Sequence, residues 1–115
     1  MTPPTIDQAV FAELVQTTGE EFVAELIDSF LEDAPRMLAS LRLALNTQDA
    51  ETFRRTAHSL KSNAASFGAM ALYAQTRECE ILGLAGLAEQ AETSVAALAQ
   101  SFDDAATSLK KLRHA

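Results

Sequence analysis

Between Ala91 and Leu112, the residues Ala91, Val95, Leu98, Phe102, Ala105, Leu109 and Leu112 recur in alternating steps of four and three. At 3.6 residues per turn this spacing lays one apolar seam along a helix, whereas a strand changes face at every residue and cannot use it. A seam of that length needs other helices to cover it, so the pattern predicts a helical bundle. The remainder of the chain agrees. Phe11, Leu14 and Val15 suit a short first helix, and Phe22, Val23, Leu26, Ile27 and Phe30 suit a second. Met37, Leu38, Leu41 and Leu45 resume the second stripe after Pro35, which is expected to kink the helix or start a fresh one. Ala50, Phe53, Ala57, Leu60, Ala64 and Phe67 form a third stripe, with Asp49 as its cap and Gly68 ending or turning it. A fourth segment, about residues 69–85, places Leu72, Thr76, Cys79, Leu82 and Gly83 on one side, and Gly86 marks its exit.

Two helix starts carry the spacing of a capping box, in which a hydroxyl and a side chain three residues on satisfy free amides. These are Thr5 with Gln8 and Thr18 with Glu21. The short connections imply antiparallel neighbours. The expected fold is all-α, an antiparallel four-helix bundle with a short extra N-terminal helix, forming one domain over residues 1–115.

Composition narrows the function. The net charge is −7, and the nine Lys and Arg residues do not gather into a stripe, so nucleic acid is not an expected partner. No apolar run approaches the roughly 18 residues of a membrane span, and no signal-peptide pattern follows Met1. The single cysteine, Cys79, allows no internal disulfide. A cytoplasmic monomer without membrane contact is the expectation.

The segment AHSLKSNAASFGA, residues 57–69, carries the chemistry. Projected at about 100° per residue, His58 lies roughly 130° from the core direction set by the Ala50 to Phe67 stripe. It should face solvent, with Arg54, Arg55, Lys61, Ser62 and Ala65 as neighbours three and four residues away. Neutral imidazole is a nucleophile near physiological pH. A phosphoryl group accepted on its outer nitrogen adds nearly two negative charges, which Lys61 could partly offset, while Ser62 and Ala65 leave room for another protein. Projection alone leaves open a simple solvated histidine beside a solubilising lysine.

The pattern His58, Leu60, Lys61, Ala64, Phe67, Gly68, Ala69 resembles the signature of histidine-containing phosphotransfer (HPt) domains of phosphorelays. The resemblance extends over about residues 7 to 112. It implies that His58 is the phosphorylated residue and that Lys61 supports the phosphoryl group. Ser62 stands where the family usually has glycine, and its hydroxyl is able to bond a phosphate oxygen. Gly68 matches the family's glycine at the helix end. By position, Glu80 is the polar residue of the next helix that orients the histidine ring; a solvated carboxylate is the alternative. Arg54, Arg55, Ala65 and Arg77 would belong to the docking rim.

The resemblance further implies a phosphocarrier in two-component signalling. His58 would accept a phosphoryl group from a phosphoaspartate on one receiver domain and pass it to an aspartate on another. Partners would be receiver domains of response regulators or of hybrid sensor histidine kinases. The receiver would supply Mg²⁺, with no cofactor on this chain. No glycine-rich nucleotide loop is present, so no kinase activity from ATP is expected. Two rivals remain: a helical interaction module that is never phosphorylated, and a metal or redox protein using His58, Cys79 and His114, residues without ligand spacing.

Overall fold

A computed structural model describes residues 3–87 and 90–113. Five helices follow one another among these residues: α1 (Gln8–Thr18), α2 (Glu20–Asn46), α3 (Ala50–Phe67), α4 (Met70–Leu84) and α5 (Ala91–Arg113). α2 packs on α3 and α5, and α4 packs on the same two helices, so α2 and α4 are diagonal partners in a closed ring of four. α1 lies across α2 and α3. The expected bundle with its extra N-terminal helix is the fold observed.

Each long helix buries the stripe its periodicity marks. Val95, Leu98, Phe102, Ala105 and Leu109 of α5 are buried, as are Phe53, Ala57, Leu60, Ala64 and Phe67 of α3. Phe30 joins three helices, with ring centroids 5.3 Å from Phe67 and 5.7 Å from Phe102. Buried aliphatic and aromatic side chains of this size each contribute about 1.5–3 kcal/mol by leaving water, which makes the core the main source of stability.

Three local expectations are corrected. α1 is capped by Asp7, whose carboxylate accepts from the amides of Ala9 and Val10, and not by Thr5. A carboxylate offers two acceptor oxygens at a helix end that is partially positive, which favours Asp7 over a threonine two residues earlier. α2 begins after Gly19 without a side-chain cap, because the Thr18 hydroxyl turns back to the Leu14 carbonyl. Of the two readings of Pro35, a kink within one helix or a fresh start, the second is excluded, since α2 runs from Glu20 to Asn46 with Pro35 inside it. Pro35 is exposed, so the Leu31 carbonyl that its missing N–H would have served is not sealed in the core. Phe22, assigned to the α2 stripe by periodicity, is 48% exposed.

Two glycines set how closely elements approach at the end of the bundle that matters for function. Gly68 has φ +73° at the C-terminus of α3, and a Cβ there would sit 2.9 Å from the Asp7 carbonyl oxygen and from Val10 Cβ. The N-terminal segment is stitched to this turn by Asp7 N–H donating to the Gly68 carbonyl at 2.7 Å and Ala71 N–H to the Pro4 carbonyl at 3.0 Å. Gly83 is inside α4, where a Cβ would come within 2.9 to 3.1 Å of Arg54 Cβ, Cα and N on α3. α3 and α4 therefore touch backbone to backbone, one turn beyond Glu80.

Candidate functional site

α3 owes its start to Asp49, whose carboxylate accepts from the Thr52 amide at 3.1 Å and the Thr52 hydroxyl at 2.7 Å. Its apolar side is anchored by Ala57, Leu60 and Ala64, each with no exposed surface. With that side committed to the core, His58 is turned outward and its side chain is 56% exposed. α4 is held by Leu72, Thr76, Cys79 and Leu82, which leaves Glu80 on the edge that faces α3.

The close crossing at Gly83 brings three charged or titratable side chains together. One Glu80 oxygen lies 2.6 Å from His58 Nδ1, and the other lies 2.6 Å from Lys61 Nζ. Glu80 is 15% exposed and Lys61 21%, so the pair is largely withdrawn from water while the imidazole is not. The Lys61 ammonium, chiefly, and the His58 ring hold the Glu80 carboxyl below its ordinary value against a smaller opposing effect of burial. An ionised carboxylate only accepts, so Nδ1 donates in this contact, and in the neutral ring the lone pair is then on Nε2. Nε2 has no hydrogen-bond partner among the described residues. The arrangement presents an oriented imidazole on an open surface, with Nε2 outermost.

The surroundings differ in part from what spacing suggests. The Ser62 hydroxyl donates to the His58 carbonyl at 3.2 Å, one turn back along its own helix, so its proton is directed to the backbone. Ala65 and Arg55 are exposed, whereas Arg54 is half-buried with its backbone against Gly83. Arg77 is exposed one turn before Glu80. Gly68 terminates α3 in the left-handed conformation expected of it.

Ile81 and Leu84, 51% and 70% exposed, were not singled out by periodicity as functional. Both lie off the α4 core stripe, beside or one turn beyond Glu80. That displacement of large apolar residues from the stripe is the sequence signal that marks them. Cys79 points into the core, where burial pushes its thiol up to about 12, and His114 lies outside the described residues. Among the described residues no group of three or more His, Cys, Asp or Glu side chains is placed to hold a metal ion. No helix among them is long and apolar enough to cross a membrane.

Comparison with known proteins adds two likenesses. The Hpt domain family model matches residues 25–114. The crystal structure of histidine-containing phosphotransfer protein B (HptB) from Pseudomonas aeruginosa PAO1 superposes with a TM-score of 0.90 at 29% sequence identity, covering 98% of this chain and 97% of that one. No curated protein sequence matches the chain significantly.

Proposed function

We propose, from the premise that this chain belongs to the Hpt domain family and is a phosphorelay phosphocarrier, that His58 is the residue that carries the phosphoryl group. The observation that carries this assignment is the Glu80 carboxylate at 2.6 Å from Nδ1, which leaves Nε2 as the free lone pair on the exposed side of α3. A histidine kept merely for solubility needs no partner on a neighbouring helix.

The proposed reaction begins with a phosphoaspartate of a receiver domain. The Nε2 lone pair forms a bond to phosphorus as the bond to the aspartyl oxygen breaks, its electron pair leaving with the carboxylate. The return step reverses these roles toward an aspartate of a second receiver. Transfer of this kind depends on in-line positioning and on stabilising charge spread over the phosphoryl oxygens. Mg²⁺ and most of the stabilising groups belong to the receiver in this scheme. This chain supplies the nucleophile and its orientation, and it acts in the cytoplasm, where receivers operate, without making phosphohistidine from ATP.

The docking surface we assign is the α3–α4 face around His58: Ser62 and Ala65 on α3, and Arg77, Ile81 and Leu84 on α4. Small side chains beside the histidine let the receiver's aspartyl pocket approach, and the two apolar side chains gain by leaving water.

The test is incubation of the chain and of His58→Gln with a receiver bearing ³²P-phosphoaspartate. Acid-labile, alkali-stable label on the parent and none on the variant is expected. Equal labelling of both would remove His58 from the scheme, and an unlabelled parent would favour an interaction module that is never phosphorylated.

A further inference from the structure

We infer that a cavity on the flank of α3 away from α4, lined by Thr52, Arg55, Thr56 and Ser59, seats an aspartate or glutamate side chain of the receiver while the receiver's phosphoacceptor pocket meets His58. The inference rests on the proposed function and names the chemistry of the partner beyond the α3–α4 face.

At about 100° per residue, Arg54 and Lys61 fall on one side of His58, and Arg55 and Ser59 on the other. The first is the α4 side, since Gly83 approaches Arg54 and Glu80 holds Lys61. Thr52, Arg55, Thr56 and Ser59 follow the spacing i, i+3, i+4, i+7 and line a shallow, open cavity of about 240 Å³, room enough for a carboxylate. The Thr52 hydroxyl is occupied, donating to the Asp49 carboxylate at 2.7 Å. The Arg55 guanidinium and the Thr56 and Ser59 hydroxyls have no hydrogen-bond partner among the described residues. Two acids lie near Arg55 on its own side of the helix. Asp49 feels its charge but is committed to the α3 cap, and Glu51, one turn earlier, closes no ion pair with it.

Coverage by the receiver decides what must fill the cavity. Even an interface at the small end of the range buries about 600 Å² on each side, a disc of roughly 14 Å radius. Arg55 is one turn from His58, about 5–6 Å between Cβ atoms, so a receiver whose aspartate reaches Nε2 covers it. A guanidinium taken out of water without an acceptor is strongly disfavoured. The receiver must therefore present an acceptor at this point, and a surface that holds Mg²⁺ beside its aspartate is built from carboxylates. A carboxylate accepts the paired N–H groups of the guanidinium fork and still has lone pairs for the two hydroxyls. Charge points the same way. With a net charge of −7 the chain repels an acidic face except where cations are exposed, and beside His58 the Lys61 ammonium is already held by Glu80 and Arg54 is half-buried. Arg55 is exposed.

The test is calorimetric titration of the unphosphorylated full chain, at low and at high salt, with a receiver domain chosen because it binds that chain. Arg55→Gln keeps the helix propensity and should raise Kd at least about fivefold at low salt, and by less at high salt. Arg55→Lys, a charge without the fork, should fall between the two. Thr56→Val combined with Ser59→Ala should raise Kd by about threefold. Arg42→Gln removes the same charge from the α2–α5 face and should leave Kd unchanged. Single charge reversals of the receiver's surface aspartates and glutamates, each paired with Arg55→Glu, then locate the occupant: one of them should restore binding.

Parent-like affinity in Arg55→Gln would overturn the inference, and equal weakening by Arg42→Gln would replace it with an effect of net charge. A loss in Arg55→Gln with none in the hydroxyl double variant would likewise sink the cavity as a seat. No restoring reversal on the receiver would exclude a carboxylate as the occupant. Binding needs no phosphoryl transfer, so the two readings fail separately. If phosphoramidate, which loads histidine without a receiver, leaves His58 unlabelled, the proposed function is contradicted while the affinities still decide the cavity; a chain that binds no receiver contradicts both.

Discussion

Glu80 is the residue on which the site turns, and its position was legible only through a resemblance. Nothing in the α4 stripe marks residue 80: it sits at the margin of the buried face defined by Leu72, Thr76, Cys79 and Gly83. His58 was easier to find, because the α3 stripe is regular enough that an angle of projection places it in solvent. The contact between the two depends on an interhelical distance that no periodicity contains. The ionised Glu80 has a consequence for pH. Its carboxyl is held below the ordinary 4.5, first by the Lys61 hydrogen bond and also by His58. A carboxyl whose folded pKa is depressed contributes stability in full above its unfolded value and loses it as pH falls through the folded one. Glu80→Gln removes that dependence. Urea denaturation of parent and Glu80→Gln from pH 7 to pH 3 should therefore show a stability gap that shrinks on the acid side, and a gap independent of pH would contradict the assignment of the shift to native contacts.

Among the elements, α3 and α4 depend on each other at Gly83. Helix interiors disfavour glycine by about 1 kcal/mol relative to alanine, so Gly83→Ala would stabilise an isolated α4. In the bundle the added Cβ meets Arg54 backbone at 3.0 to 3.1 Å and Arg54 Cβ at 2.9 Å, contacts that only a displacement of the helices relieves. Overpacking of this kind costs about 1–3 kcal/mol, enough to cancel the propensity gain or exceed it. The expected outcome is a neutral to destabilised protein in which His58 loses its preference for the Nδ1–H tautomer, seen in its ring ¹⁵N spectrum. A stabilised protein with an intact tautomer would mean that the crossing is not tight. Gly68→Ala tests the other approach. A left-handed backbone at a non-glycine residue costs about 1–2 kcal/mol, and the contact with the Asp7 carbonyl adds to it. A fall of about 2 kcal/mol or more in urea unfolding is expected. Helix number and core stripes were readable because burial imposes the 3.6-residue period. The helix starts at Asp7 and Gly19 were not, and the stripe left Pro35 open between a kink and a fresh start, because each depends on which of several competent local hydrogen bonds tertiary packing selects.

For the molecule as a whole, the ring topology divides the surface. α4 and α2 are diagonal, so residues projecting outward from α4 and from α2 serve different faces. Among the described residues, the large apolar ones left exposed are Ile81 and Leu84 on α4, and Phe22 and Leu43 on α2. Only the α4 pair adjoins Glu80 and thereby His58, which is why a receiver approaching Nε2 would cover it. Burying one such side chain contributes about 1.5–3 kcal/mol, equivalent to roughly ten- to a hundredfold in affinity. Leu84→Ser should therefore weaken binding of a transfer-competent receiver by about tenfold or more. Its loading by phosphoramidate should stay within twofold of the parent, because Leu84 takes no part in the hydrogen bonds that join His58, Glu80 and Lys61. Leu43→Ser is the matched control: at 64% exposure it removes a comparable apolar surface from the opposite face and should leave receiver affinity unchanged. Calorimetric titration of the three proteins with the same receiver separates the cases, since lost apolar burial also makes the heat-capacity change of binding less negative. Equal weakening by both substitutions would point to general surface hydrophobicity, and no weakening by Leu84→Ser would move the receiver off the C-terminal half of α4.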